Sequence, residues 1–258
     1  MMGMDRSALE IVIGLEARKL ARATVVRVAT AAALVLVMAT TAGGYTAAMR
    51  AGDTDLGRKA ASMVTSPGWD GYTALGATSV SVTMLLAVGV VMSWSTGREF
   101  TDGTIVGLFA IPPALRTIAT AKMLVTLSWA VLLGAGEAVL LMTAGLLLGL
   151  GAAGATGCFA TLLLVSVVLS AGVLPVMWAA TRWRGYLAGI GLTLAILVVT
   201  NLAAGFGLGT YTPWSIPVAW TMTHDDVSTL LLVVPVMTAA IGAWVTLRSW
   251  DRLQLGTD

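Results

Sequence analysis

Six apolar stretches, each long enough to cross a bilayer as a helix, run through this 258-residue chain and leave little of it for anything else. They fall at about 24–48, 72–95, 118–150, 158–180, 187–208 and 228–247. A hydrocarbon core about 30 Å thick asks for roughly 20 apolar residues per helix. Lipid offers no partner to an unpaired peptide group, so each stretch must satisfy its own backbone as a helix. The predicted fold class is therefore an all-α integral membrane protein with six transmembrane helices. The third stretch exceeds a perpendicular span and is expected to begin as an interfacial turn and then tilt. With 57% of residues hydrophobic and 11% charged, too few polar residues remain to build a sizeable soluble domain. The net charge of +2 is not massed into a basic block, which argues against nucleic acid as a partner. A single cysteine, Cys158, lies inside an apolar run; it permits neither an intramolecular disulfide nor a thiolate metal cluster, and reads as a small buried hydrophobe.

Residues 1–22 are of another kind. They lack the apolar core and small-residue cleavage site of a signal peptide. Ser7-Ala8-Leu9-Glu10 has the pattern of a capping box. Leu9, Val12, Ile13 and Leu20 then recur at helical spacing, while Arg6, Glu10, Gly14, Arg18 and Arg22 mark a different face. This predicts an amphipathic helix lying in the membrane surface, followed by a transmembrane domain over 23–250 and a short tail over 251–258. Orientation follows from the basic residues. With the N-terminus inside, the inner segments hold Arg6, Arg18, Lys19, Arg22, Arg98, Arg116, Lys122, Arg182, Arg184, Arg248 and Arg252, and the outer ones only Arg50, Arg58 and Lys59. Both termini are thus expected in the cytoplasm. Asp53, Asp55, Asp70, Asp225 and Asp226 on the outer side agree with that assignment.

The segment 96–118, between the second and third stretches, holds Glu99, Asp102, Gly103, Thr104, Pro112, Pro113 and Arg116, with Lys122 soon after. Arg98 and Asp102 are four apart, as are Phe100 with Thr104 and Thr104 with Leu108, so a surface helix here would carry one charged and one apolar edge. Pro112-Pro113 would end it, since proline donates no backbone hydrogen bond and disfavours helix in the residue before it. A short, stiff, partly polar knob between two membrane helices is predicted.

These residues resemble the ABC-2 permease family, whose fold is shared by the ABCG half-transporters. The resembling pattern is Glu99, Gly103-Thr104, Pro112 or Pro113, Arg116 and Lys122, at the spacings of that family's cytoplasmic loop after its second span. An amphipathic N-terminal helix, six spans and a proline- and aromatic-bearing outer segment at 207–227 are similar as well. The resemblance implies the permease subunit of a bacterial ABC exporter in the cell membrane, moving an apolar or amphipathic cargo such as a drug, lipid or peptide. It implies that Glu99, Asp102, Gly103, Thr104, Pro112, Pro113 and Arg116 belong to a coupling helix docked on an ATPase. Two ATPase subunits, which bind ATP and Mg, and a second permease copy or a paralogue are the implied partners. No cofactor and no enzymatic activity are expected of this chain itself. A P-loop lysine must precede Ser or Thr, whereas Lys19 precedes Leu20, Lys59 precedes Ala60 and Lys122 precedes Met123.

Inside the spans, Glu137 is the one acidic residue well within an apolar stretch, flanked by Gly134 and Gly136. A carboxylate at that depth is costly. It is a candidate for binding a cationic group or a proton, or else a neutral, hydrogen-bonded lock between helices, with Asn201 as a possible partner. An ion-driven secondary transporter using Glu137 is the competing function; a membrane enzyme has no catalytic motif to rest on. Three glycine pairs, 145 with 149, 185 with 189 and 205 with 209, suggest close helix approach. The segment 207–227, with Tyr211, Pro213, Trp214, Pro217 and Trp220, cannot be one straight helix. It is expected to form an interfacial aromatic belt, and by resemblance a helical hairpin dipping into the outer leaflet. His224 has no Cys or second His with which to build a metal site and is read as a surface residue near Asp225 and Asp226.

Overall fold

In the computed structural model the described residues are 6–50, 66–222 and 228–254, with Asp55, Arg58, Ala61, Ser62 and Val64 between them, and among these there is helix and no strand. Asp53, Lys59, His224, Asp225 and Asp226 lie outside the described residues. Helix α1 (Arg6–Arg22) ends at an extended Ala23. Span 1 follows as α2 (Thr24–Met38), one π-helical turn at Ala39–Gly43, and α3 (Gly44–Arg50). Span 2 is α4 (Gly68–Thr101); after a short α5 (Ile105–Leu108), span 3 is α6 (Leu115–Leu147). Span 4 is α7 (Ala155–Gly172) continued by α8 (Pro175–Arg182), and span 5 is α9 (Tyr186–Gly205). A short α10 (Ile216–Met222) precedes span 6, a 3-10 turn at Thr229–Leu232 that continues as α11 (Val233–Asp251). All six spans are long and apolar enough to cross a membrane. The molecule is a multi-pass membrane protein.

Several expectations shift in detail. Arg6 and Ser7 are both helical in α1. Span 3 has no separate interfacial turn; it is one helix of 33 residues, about 50 Å at 1.5 Å per residue. Span 2 runs to Thr101 rather than stopping near residue 95: past that point Glu99 pairs with Lys122 and Thr104, Arg98 lies over the Trp94 ring, and the Thr101 hydroxyl donates to the Gly97 carbonyl. Span 4 breaks where Pro175 cannot donate to the preceding turn, and span 6 uses the break: a Cβ on Gly242 would lie 2.6 Å from the Pro175 nitrogen.

Span 2 is the centre of the bundle, packing against spans 1, 3, 4 and 5. Close approach is made one glycine at a time rather than through the spaced pairs. A Cβ on Gly89 would sit 2.3 Å from Thr193, one on Gly189 2.5 Å from Ser93, and one on Gly134 2.4 Å from Ser166. Of the three pairs, Gly145 meets Trp69 and Gly189 meets Ser93 closely, whereas Gly149 and Gly205 face open space. Large apolar side chains such as Leu132, Leu187, Val198, Met237 and Ile241 remain exposed on the outer faces of the spans, where lipid is the solvent.

Residues 207–222 fold back into the bundle. Trp214 Nε1 donates to the Gly172 carbonyl at 2.9 Å, and Gly172 lies about 26 Å along span 4 from Ala155 at 1.5 Å per residue. Ser215 and Ile216 are buried beside it. Among the described residues this segment holds turns and the single short helix α10, packed back against span 4, rather than a helical hairpin.

Candidate functional site

At the end of the bundle that carries α1, three helices converge on a buried ion cluster. Lys122, two turns into span 3, is 2% exposed. An ammonium has three protons to give, and all three are used: to Glu16 Oε2 at 2.9 Å, Glu99 Oε1 at 2.8 Å and the Ser95 carbonyl at 3.0 Å. Lys19 Nζ donates to Glu16 Oε1 at 2.7 Å and lies 3.7 Å from Glu99. Thr104 Oγ1 donates to Glu99 Oε2 at 2.6 Å. Two carboxylates thus face two ammonium groups and the cluster carries no net formal charge. Buried ions separately cost several kcal/mol each, and only such complete pairing offsets that.

Local sequence explains the convergence. Val12, Glu16 and Leu20 are four apart and form the buried edge of α1. Sequence reasoning passed over Glu16. Its signal was a carboxylate on the apolar stripe of an amphipathic helix, which requires a buried cation from elsewhere. Around the cluster, Val12, Ile118, Ala119, Ala121 and Trp250 form a small core with Phe100 and Leu108 against it. Trp250 Nε1 donates to Thr181 Oγ1 at 2.9 Å, tying span 6 to α8.

The knob starts where span 2 stops. Asp102 closes the last turn, its amide donating to the Arg98 carbonyl at 2.8 Å. Gly103 follows at φ +70°, the left-handed position that ends many helices and that glycine occupies without strain. Residues 98–108 are accordingly not one helix, and the four-residue edges do not form. Arg98 instead lies over the Trp94 ring at 4.7 Å, Glu99 and Thr104 pair inward, and α5 lasts only to Leu108, short of Pro112-Pro113. Asp102, Gly103, Val106, Phe109, Ile111 and Pro112 are exposed, and Pro113 is half-buried. A second tie anchors the far side: Arg116 Nη1 reaches Asp251 Oδ2 of span 6 at 3.1 Å.

Glu137 stands apart, in the middle of span 3 and fully buried. Neither carboxyl oxygen has a hydrogen-bond partner among the described residues. The Thr83 hydroxyl of span 2 stands beside it, but its proton goes to the carbonyls of Ser79 and Val80, 3.1 Å each. Asn201 is not the partner of Glu137. The Asn201 amide donates to the Leu197 carbonyl of its own helix at 2.8 Å and is exposed. It lines a groove of about 290 Å³ with Thr78, Ser81, Thr200 and Ser215, between spans 2 and 5 and the folded-back segment.

Among curated proteins none matches this chain. Residues 12–201 match the family described as ABC-2 family transporter protein, a stretch running from the buried edge of α1 through the ion cluster, the knob and Glu137 to Asn201. With well over half of its length matched and six membrane-spanning helices, the chain belongs to the ABC-2 family of transporter proteins.

Proposed function

We propose that the chain is the permease subunit of an ABC exporter in a bacterial cell membrane, moving an apolar or amphipathic cargo with energy from a separate ATPase. The observation that carries this reading is the exposed knob set directly on a buried ion cluster in a chain of this family. Val106, Phe109 and Ile111 are large apolar side chains left exposed at the tip of a polar connection, which is what a docking surface needs. Thr104 links the knob to Glu99 and so to span 2, Lys122 passes the load to span 3 and Glu16 to α1, while Arg116 and Asp251 carry it to span 6. Asp102, Gly103, Pro112 and Pro113 shape the knob. Two ATPase copies, holding ATP and Mg, would act on this chain and a second permease, either another copy or a paralogue.

This places the α1 end in the cytoplasm. Arg18, Lys19, Arg22, Arg98, Arg116, Lys122, Arg182, Arg184, Arg248 and Arg252 belong to that end, against Arg50 and Arg58 at the other, in keeping with the positive-inside rule. A cysteine at Gly107 should be shielded from an impermeant maleimide in intact cells, and one at Asp55 should react. External labelling at 107 would reverse the orientation.

The coupling test is a double substitution, Val106→Ser with Phe109→Ser. Buried interface anchors are each worth about 1–2 kcal/mol or more, so cargo-stimulated ATP hydrolysis by the reconstituted complex should drop by about tenfold or more, with the melting temperature unchanged because both side chains are exposed. Full co-purification with the ATPase and wild-type transport would remove the coupling role.

A further inference from the structure

We propose that Glu137 is the counter-charge for the head group of an amphipathic ammonium cargo whose apolar tail lies in the groove between spans 1 and 2. The inference rests on the permease reading for calling that molecule cargo, and names its chemical class.

The groove is about 390 Å³, within the range of small-ligand pockets (about 300–1,000 Å³). Val28, Ala32 and Leu36 of span 1 and Leu86 and Val90 of span 2 line it, and Thr83 is the polar residue on the span 2 side. Thr83 also stands beside Glu137, so one side chain separates an apolar groove from an unpaired buried carboxyl. The turn of span 3 that carries Glu137 faces the same two helices: a Cβ on Gly136 would lie 3.9 Å from Leu34 of span 1. A second unpartnered group lies on the same helix pair. Thr41, on the π-helical turn of span 1, is fully buried with its hydroxyl unpaired. Its methyl group and Leu141, one turn beyond Glu137, both border Gly76 of span 2, whose Cβ would lie 3.5 Å from the Thr41 methyl and 3.4 Å from Leu141.

No described residue supplies the missing positive charge. Lys122 is fifteen residues away along span 3, about 22 Å at 1.5 Å per residue, and its three protons are committed; Arg27 of span 1 is exposed, with its Nη2 donating to the Arg22 carbonyl at 2.8 Å, toward α1. Tyr72, which donates to the Leu141 carbonyl at 2.9 Å, Tyr45, whose hydroxyl accepts from the Gly68 amide at 3.0 Å, and the buried Cys158 are other titratable groups in this part of the bundle, and none brings a cation. A bare carboxylate here would cost several kcal/mol, so without cargo the group holds its proton. When the ammonium arrives, the carboxyl O–H gives one proton to water and the carboxylate pairs with the cation. The site is neutral before and after, and the ammonium N–H groups have the carboxylate as acceptor.

The test uses the full chain in phosphatidylcholine nanodiscs with two probes of equal length, dodecylammonium and uncharged dodecanol, with empty nanodiscs subtracted. Wild-type protein should bind dodecylammonium at least about tenfold more tightly than dodecanol. One proton should be released per ammonium bound, and the infrared band of a protonated carboxyl should disappear. Glu137→Gln should bind both probes alike, release no proton, and hold dodecanol as the wild type does. Equal affinity of wild-type protein for the two probes, or binding without proton release, overturns the proposal without reliance on any variant. So does a Gln variant that keeps the preference. No ATPase is present, so failure here leaves the coupling test untouched, and failure of coupling leaves this binding result standing.

Discussion

Replacing Lys122 with methionine is expected to destabilise the bundle by about 3–5 kcal/mol, the cost of leaving buried ionic partners uncompensated. Methionine fills much the same space, so the loss is electrostatic rather than a cavity. Glu16 and Glu99 would then face each other with only Lys19, whose side chain is 42% exposed and whose closest approach to Glu99 is 3.7 Å. The Ser95 carbonyl also loses the proton it accepts at 3.0 Å. α1 should detach first, because Lys122 bonds directly to its Glu16 while Val12 and Leu20 supply only a narrow apolar edge. Adding Glu99→Gln to Lys122→Met should recover part of the loss, since one carboxylate then remains for one ammonium. Thermal unfolding of purified wild-type, single and double variants measures this, with proteolysis of α1 as a local readout. A Lys122→Met protein that melts with the wild type and protects α1 equally would mean that the cluster contributes no net stability.

The same cluster shows where sequence reading stops. Hydropathy located all six spans because lipid excludes polar faces from a membrane helix, and no tertiary partner is needed to see it. Boundaries failed where partners matter. Span 2 looked finished near residue 95 because Ser95, Thr96, Arg98 and Glu99 are polar, yet Ser95 and Glu99 serve a cation 23 to 27 residues away in sequence. Glu16 finds that cation at a separation of 106 residues, a pairing that no helical period encodes. The resemblance brought Glu99, Thr104, Arg116 and Lys122 onto one segment without saying that Glu99 turns inward. Glu137 stood out through its isolation in an apolar span, but its full burial beside Thr83, with no hydrogen-bond geometry to any described residue, is visible only in three dimensions. The glycine pairs misled for a related reason: spacing marks one face of a helix, and only the neighbouring helix decides which glycine on that face is used.

Gly97→Val should have the second large effect, because its clash is with backbone. A Cβ at residue 97 would lie 2.2 Å from the Tyr186 nitrogen, 2.3 Å from its Cα and 2.6 Å from the Gly185 carbonyl carbon. No rotamer change relieves such contacts. The opposing turn cannot readily withdraw either: Arg184 already sits at φ 49°, its amide bonded to the Thr181 carbonyl at 3.2 Å, and the Gly185 amide is bonded to the Ala180 carbonyl at 3.0 Å. Overpacking of this kind costs about 1–3 kcal/mol when side chains can shift, and the backbone origin puts Gly97→Val at or above the upper end. Span 5 would have to move off span 2 along a seam where Ser93 meets Gly189 and Gly89 meets Thr193 with no space to spare. Gly97 lies between Ser95 and Glu99, so the displacement also strains the ion cluster and, under the permease reading, the path from knob to spans. Gly97→Ala places the same Cβ and should lose most of the same stability, whereas Gly191→Ala, on an open face of span 5 with nothing within 4 Å, should melt with the wild type. If Gly97→Ala unfolds at the wild-type temperature, spans 2 and 5 are separable at this level, and the seam cannot be what holds the α1 end of span 5 in place.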